Sequence, residues 1–206
     1  MSAILLCLGN LAAAALAAAA GHEATVKVQV LDSLGTPMPG AVVFVSDPVE
    51  SSPQHEVFVI DQVKAEFVPR VLVVPVGSSV RFPNKDKIQH HVYSFSRAKQ
   101  FDLELYSGEP PSPIRFDKPG LVKLGCNIHD WMEGYILVTP TAVYTITDAQ
   151  GRGELRIPRH KVQLAVFHER ARATIAQTQR SVPLLGDVVW RLPTREFRPP
   201  VKSGGY

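Results

Sequence analysis

The chain has 206 residues, 45% hydrophobic and 20% charged, with 17 prolines and 14 glycines; this excludes a disordered tail, a disulfide-stapled miniprotein and a collagen-like repeat, and leaves room for one large or two small domains. The formal net charge of +3 hides an asymmetry, because residues 1–139 carry 11 Lys and Arg against 14 Asp and Glu, whereas residues 140–206 carry 11 against 5. Heptads and long helical periods are absent, so the expected fold class is all-β.

The first twenty residues, MSAILLCLGNLAAAALAAAA, carry no charge and end in an alanine run suited to an A-x-A cleavage site. They are expected to be a secretory signal peptide, with the mature protein periplasmic; the alternative is an uncleaved N-terminal anchor helix. No other stretch is long and apolar enough to span a membrane. Cleavage removes Cys7 and leaves Cys126 as the single cysteine. A structural disulfide is then impossible, and a lone thiol in an oxidising compartment calls for another role.

Val26, Val28 and Val30 alternate with Lys27 and Gln29, the period-2 pattern of a half-buried strand, and the turn DSLGTPMPG leads to a second strand at 41–45. PVESSP at 48–53 reads as a linker. Short strands follow at 57–60, 71–76, 79–82, 92–95, 114–116, 122–125 and 135–138, separated by Pro and Gly. In the basic half, strands are expected at 143–147, 154–157, 162–167 and 188–192, with a tight turn at 148–153. Residues 170–179 fit helix or strand, and residues 196–206 read as a disordered tail. Strands of this length and spacing favour sandwiches or barrels.

The phrases VQVLDSLGTPMPGAVVFV and TITDAQGRGELRI resemble the two halves of one transthyretin-like or carboxypeptidase-regulatory-like β-sandwich, although about 95 residues separate them here. That resemblance implies a split sandwich, residues 23–48 and 140–195, with residues 54–139 inserted as a second domain. Two successive domains are the alternative.

The segment with the most chemistry is Gly125-Cys-Asn-Ile-His-Asp-Trp-Met-Glu-Gly134, which spaces Cys126, His129 and Met132 three and three on what is expected to be a loop between strands. Upstream, FPNKDKIQHHVYSF places His90 and His91 at the start of a strand. Two imidazoles and a thiolate in a plane, with a weak axial thioether, form the ligand set that suits copper cycling between Cu(I) and Cu(II). Zinc accepts nitrogen and sulfur but rarely takes methionine.

C-x-x-H-x-x-M flanked by strands, with N-x-D-x-x-x-H upstream, resembles the cupredoxins of plastocyanin and amicyanin type. The wider phrases VRFPNKDKIQHHVYSFS and FDKPGLVKLGCNIHDWMEGYILV resemble plastocyanin-like periplasmic methylamine utilisation proteins. The resemblance covers about residues 63–139. It implies a Greek-key sandwich and one type 1 copper ion on His90, Cys126, His129 and Met132, passing single electrons between redox protein partners. His91 stands where the family has an asparagine that steadies the cysteine loop, and either competes as a ligand or replaces that role; Ile128 stands where many members have proline. Asn84 and Asp86 are read as caps of the turn before the strand, since a hard carboxylate suits a soft site poorly.

His55, His160 and His168 have no partners in sequence, and His22 would chelate Cu(II) with a free amine if cleavage fell just before it. The arginines between 152 and 198 lack an aromatic platform, so a basic docking face is expected and nucleic acid is not. With no Ser-His-Asp order, phosphate loop, carboxylate pair or HExxH motif, the chain is expected to be an electron carrier and not an enzyme. A copper carrier or assembly protein and a non-redox interaction protein are the other readings.

Overall fold

The structure is a computed structural model that describes residues 23–47, 56–110, 112–158, 162–182 and 186–196. The expected signal peptide, Cys7, His22, the linker at 48–53, His55, His160 and residues 197–206 of the expected tail lie outside the described residues. In chain order the strands are β1 (Glu23–Asp32), β2 (Val42–Val45), β3 (Val57–Val59), β4 (Asp61–Val63), β5 (Glu66–Val68), β6 (Val71–Pro75), β7 (Ser79–Arg81), β8 (His90–Ser96) and β9 (Lys99–Tyr106). They continue with β10 (Ile114–Arg115), β11 (Gly120–Cys126), β12 (His129–Thr139), β13 (Tyr144–Ile146), β14 (Arg152–Pro158), β15 (Val162–Phe167), β16 (Arg180–Val182) and β17 (Asp187–Leu192). One four-residue helix, α1 (Ile175–Thr178), interrupts them; Thr174 and Gln177 cap it reciprocally. The architecture is all-β, as the composition and periodicity led us to expect.

Two cores organise the chain. One collects Val26, Val28 and Val30 of β1 with Val43, Leu155, Leu164 and Trp190, between a sheet ordered β14-β1-β17 and a sheet ordered β13-β2-β15-β16. The alternation in β1 explains its half of this core, because every second side chain meets the opposite sheet. Trp190 is completely buried, and its indole N–H donates to the Thr178 carbonyl at 2.9 Å, so the largest apolar side chain is placed without an orphaned donor.

The second core gathers Phe82, Phe116, Val122, Leu124, Ile136 and Val138 between a small sheet, β10-β7-β3, and a five-stranded sheet, β6-β12-β11-β8-β9. β6 runs parallel to β12, and the other pairs of the large sheet are antiparallel. The hairpin β4-β5 closes one side. β9 and this hairpin were not anticipated from the sequence.

The two cores meet along a third apolar cluster. Val42, Phe44, Ala165 and Phe167 pack against Val73, Tyr135 and Leu137. This explains why β2, VVFV, is buried at all four positions: alternate residues serve the sandwich interior and this junction, and a strand covered on both faces reads as an unbroken apolar run. Arg70 pins the junction from the side, with Nε on Glu169 Oε2 at 2.6 Å and Nη1 donating to the Glu133 carbonyl at 2.9 Å. No helix among the described residues is long and apolar enough to cross a membrane.

The turn joining β13 to β14 depends on one glycine. Gly151 has φ +69°, and a Cβ there would lie 2.4 Å from the Val30 carbonyl oxygen. Gly151→Ala is therefore expected to lose about 3 kcal/mol, combining a left-handed backbone penalty with an unrelieved contact to main chain. Urea unfolding checks this; an unchanged midpoint would show that β1 yields to the added methyl.

Candidate metal centre

The site is assembled on three neighbouring strands of the large sheet. His90 opens β8, Cys126 ends β11 and His129 opens β12. Cys126 pairs with both Val92 of β8 and His129 of β12. The segment from 126 to 132, expected as a loop, is instead a hairpin whose turn is only Asn127 and Ile128. A register shift between Gly125 and Cys126 turns the thiol into the same pocket as the two imidazoles.

His90 Nδ1 lies 3.2 Å from His129 Nδ1 and 3.9 Å from Cys126 Sγ, and Sγ lies 3.6 Å from His129 Nδ1. A circle through three points with these separations has a radius of about 2.1 Å, close to a metal–imidazole bond of about 2.0–2.1 Å and a little short of a metal–thiolate bond of about 2.3 Å. The three side chains are buried, His90 at 0% exposure, Cys126 at 4% and His129 at 8%. They are also the group of metal-type donors that converge within 4.8 Å among the described residues. The donors thus fit a three-coordinate soft centre.

Met132 is 1% exposed and belongs to the same core cluster as Cys126. Both line a cleft of about 340 Å³ that is bounded by Tyr93, Phe95 and Gly125. Gly125 leaves room for the outer end of the Tyr93 ring: a Cβ there would fall 2.8 Å from it, so any larger residue before the thiol would have to displace Tyr93.

Strand pleat separates the two adjacent histidines. His90, Val92 and Ser94 point inward, whereas His91 is half-buried on the opposite face with Nε2 2.5 Å from Asp102 Oδ1. His91 nevertheless steadies the cysteine turn, through its backbone: its carbonyl accepts the Asn127 N–H at 3.2 Å. His168 sits elsewhere, with Nε2 3.2 Å from the Pro39 carbonyl.

Sequence reasoning assigned Asp86 to a turn, but the structure gives it a larger place. Its Oδ2 is 2.9 Å from His90 Nε2 and accepts the Ala65 N–H at 2.8 Å, while Oδ1 accepts the Lys64 N–H at 2.7 Å. Asn84 fixes the loop that carries it, accepting the Asp86 N–H and donating to the Ile88 and Tyr106 carbonyls. The only signal in the sequence was the four-residue step from Asp86 to His90.

The electrostatics favour the metal-binding form of Cys126 and His129 and the protonated form of His90. Burial alone would push the Cys126 thiol up, but His90 and the backbone of His91 and Ile128 outweigh it and hold the thiol below its ordinary value. Burial, and then the neighbouring His90, keeps the His129 imidazole below its usual range. For His90 burial is outweighed by Cys126 and Asp86, and its value is raised. Thiolate and neutral imidazole are the forms that bind metals.

No family model and no curated protein matches the chain. Among solved structures it is similar to a copper-containing nitrite reductase from Thermus scotoductus SA-01, at 27% identity and a TM-score of 0.38, over 45% of this chain and 25% of that one. A novel purple cupredoxin from Nitrosopumilus maritimus is similar at 22% identity and a TM-score of 0.35, over 41% of this chain and 99% of that one. An oxidised amicyanin variant is similar at 20% identity and a TM-score of 0.36, over 48% of this chain and 98% of that one. The chain thus spans a quarter of the nitrite reductase and almost all of the two small proteins.

Proposed function

We propose that this chain is an exported type 1 copper protein, of the plastocyanin-like methylamine utilisation type, which carries single electrons between redox protein partners in the periplasm and is not an enzyme. The observation that carries the reading is the triangle of His90 Nδ1, His129 Nδ1 and Cys126 Sγ, whose separations suit one small, soft cation. Copper, when bound, supplies a one-electron couple. The chain supplies rigidity: its three strong donors stand on the hydrogen-bonded strands β12, β11 and β8, so their spacing changes little when charge changes. With Met132 as a fourth donor beside the thiolate and the two imidazoles, a bound ion would have no open position for a substrate, in contrast to metal sites that activate water. The apolar first twenty residues, ending in an alanine run suited to A-x-A cleavage, support export.

Adding Cu(II) to the mature protein is expected to give an intense visible band that vanishes on reduction, with slow loss of copper to a chelator. Rapid exchange would favour copper delivery over electron transfer, and failure to bind copper would defeat the reading. Met132→Leu should keep the band and raise the reduction potential, because losing a weak donor disfavours Cu(II), by about 59 mV for each tenfold change in relative affinity. Met132→Gln should lower it. Voltammetry that gives unchanged potentials for both variants would show that Met132 packs in the core without facing the metal.

A further inference from the structure

We propose that Asp86 is a positioning residue for the metal centre: it fixes His90 in the tautomer that presents Nδ1 to the site, and its charge biases the site toward the more highly charged ion. The inference rests on the copper reading above and extends it to a residue that donates nothing to the metal.

The argument begins with hydrogen-bond inventory. An ionised carboxylate only accepts. All three groups around Asp86 are donors or must become so: the N–H of Lys64, the N–H of Ala65, and His90 Nε2 at 2.9 Å. Each carboxylate oxygen already accepts a backbone N–H, Oδ1 from Lys64 and Oδ2 from Ala65, the arrangement that suits an ionised carboxylate. The proton of neutral His90 therefore sits on Nε2, and Nδ1, on the other edge of the ring, faces His129 and Cys126 with its lone pair free. His90 is completely buried, so water does not compete for either nitrogen.

The backbone opposite confirms that the carboxylate is held from both sides. Lys64 and Ala65, the two central residues of the β4-β5 turn, both have φ 54°. That is the left-handed region, which glycine and asparagine occupy in tight hairpins and which strains other residues. Neither residue is glycine or asparagine. Their two amides converge on one carboxylate, so the strained turn acts as a clamp on Asp86 rather than as a free hairpin tip.

An amide cannot replace this carboxylate. Asparagine has one acceptor oxygen, and its NH2 group would face at least one of the three donors. In Asp86→Asn the affinity for Cu(II) is expected to fall about 10–100-fold, as when other partners of metal-bound histidines are lost. The loss is larger for Cu(II) than for Cu(I), because a nearby negative charge favours the higher cation, so the potential rises by 59 mV for each tenfold difference.

Three measurements on wild type, Asp86→Asn and Asp86→Glu test this: Cu(I) and Cu(II) affinity by chelator competition, reduction potential, and the nitrogen-15 spectrum of the histidines in the Cu(I) protein. Wild type is expected to show a slowly exchanging His90 Nε2–H. Asp86→Asn should lose that signal and bind Cu(II) more weakly, and Asp86→Glu should keep the signal and recover most of the affinity. As a control, Lys64→Asn combined with Ala65→Gly relaxes the turn but keeps both amides, and should raise thermal stability without moving the potential. Unchanged affinity, potential and tautomer in Asp86→Asn would overturn the proposal. If Asp86→Asn does not fold, Asp86→Glu decides alone, and loss of its His90 Nε2–H signal in a folded protein would overturn it. Wild type that binds no copper defeats the earlier reading, a result separate from any of these.

Discussion

Cys126→Ser protein is expected to stay colourless when Cu(II) is added, while unfolding within a few degrees of wild type. The visible band of a type 1 centre arises from charge transfer between sulfur and copper, and a serine hydroxyl is neither ionised at neutral pH nor a soft donor. In the native chain the thiol is held below its ordinary value by His90 and the backbone of His91 and Ile128 despite burial, so the thiolate is available without a large proton penalty. The fold has little to lose. Cys126 forms no disulfide, and serine has the same shape with a slightly smaller terminal atom. A change of about 1 kcal/mol moves the melting temperature of a chain of this size by only about 2–4 °C. A variant that retains the blue band would remove Cys126 from the site; one that loses both band and fold would show that the thiol is a packing residue first.

The histidine pair gives the second large effect, and the two outcomes are opposite. His90→Ala removes one of three strong donors and leaves Asp86 facing an empty space, so the type 1 EPR signal with its small copper hyperfine splitting should disappear. His91→Asn should leave that signal nearly intact. The side chain of His91 points away from the site to Asp102, and the contact through which His91 steadies the cysteine turn is made by its carbonyl, which asparagine also has. The pleat of β8 makes these results exclusive. The reverse pattern would need β8 to slip by one residue, which would carry Val92 and Ser94 out of the core and Tyr93 and Phe95 into it.

Much of this was legible in the chain itself. Valine alternation located β1 and the apolar run at 41–45 located β2, whose burial on both faces only the structure shows. The three-and-three spacing of Cys126, His129 and Met132 singled out the site, although it was taken for a loop, because His-Asp-Trp-Met-Glu-Gly has no period of two until the strand partners are known. Other features depend on tertiary partners that sequence does not display. β9 is only partly buried along its length, so its pattern is faint. The β4-β5 hairpin turns on lysine and alanine, which carry no turn signature; what stabilises that turn is a carboxylate twenty-one residues away from Ala65. Asp86 could be seen as a turn residue but not as the partner of His90, since a four-residue step within a loop does not by itself bring two side chains together.

The pairing of β1 also sets a timetable. β1 is the central strand of its sheet, yet it is made first, and its neighbours β14 and β17 begin only at Arg152 and Asp187. β2 waits likewise for β13 and β15. At ribosomal rates of about 5–20 residues per second, β1 has to remain without β17 for roughly ten seconds or more. By then the whole core between Ile60 and Val138 has been synthesised and can close on itself. The outer sandwich is therefore a late-closing structure around an early one, and its first two strands spend the interval as unpaired edges, the condition that invites misassociation between chains. β1 carries Lys27 on its outer face through this period, a charge that discourages such pairing, whereas β2 is four consecutive apolar residues and is the more vulnerable segment of the nascent chain.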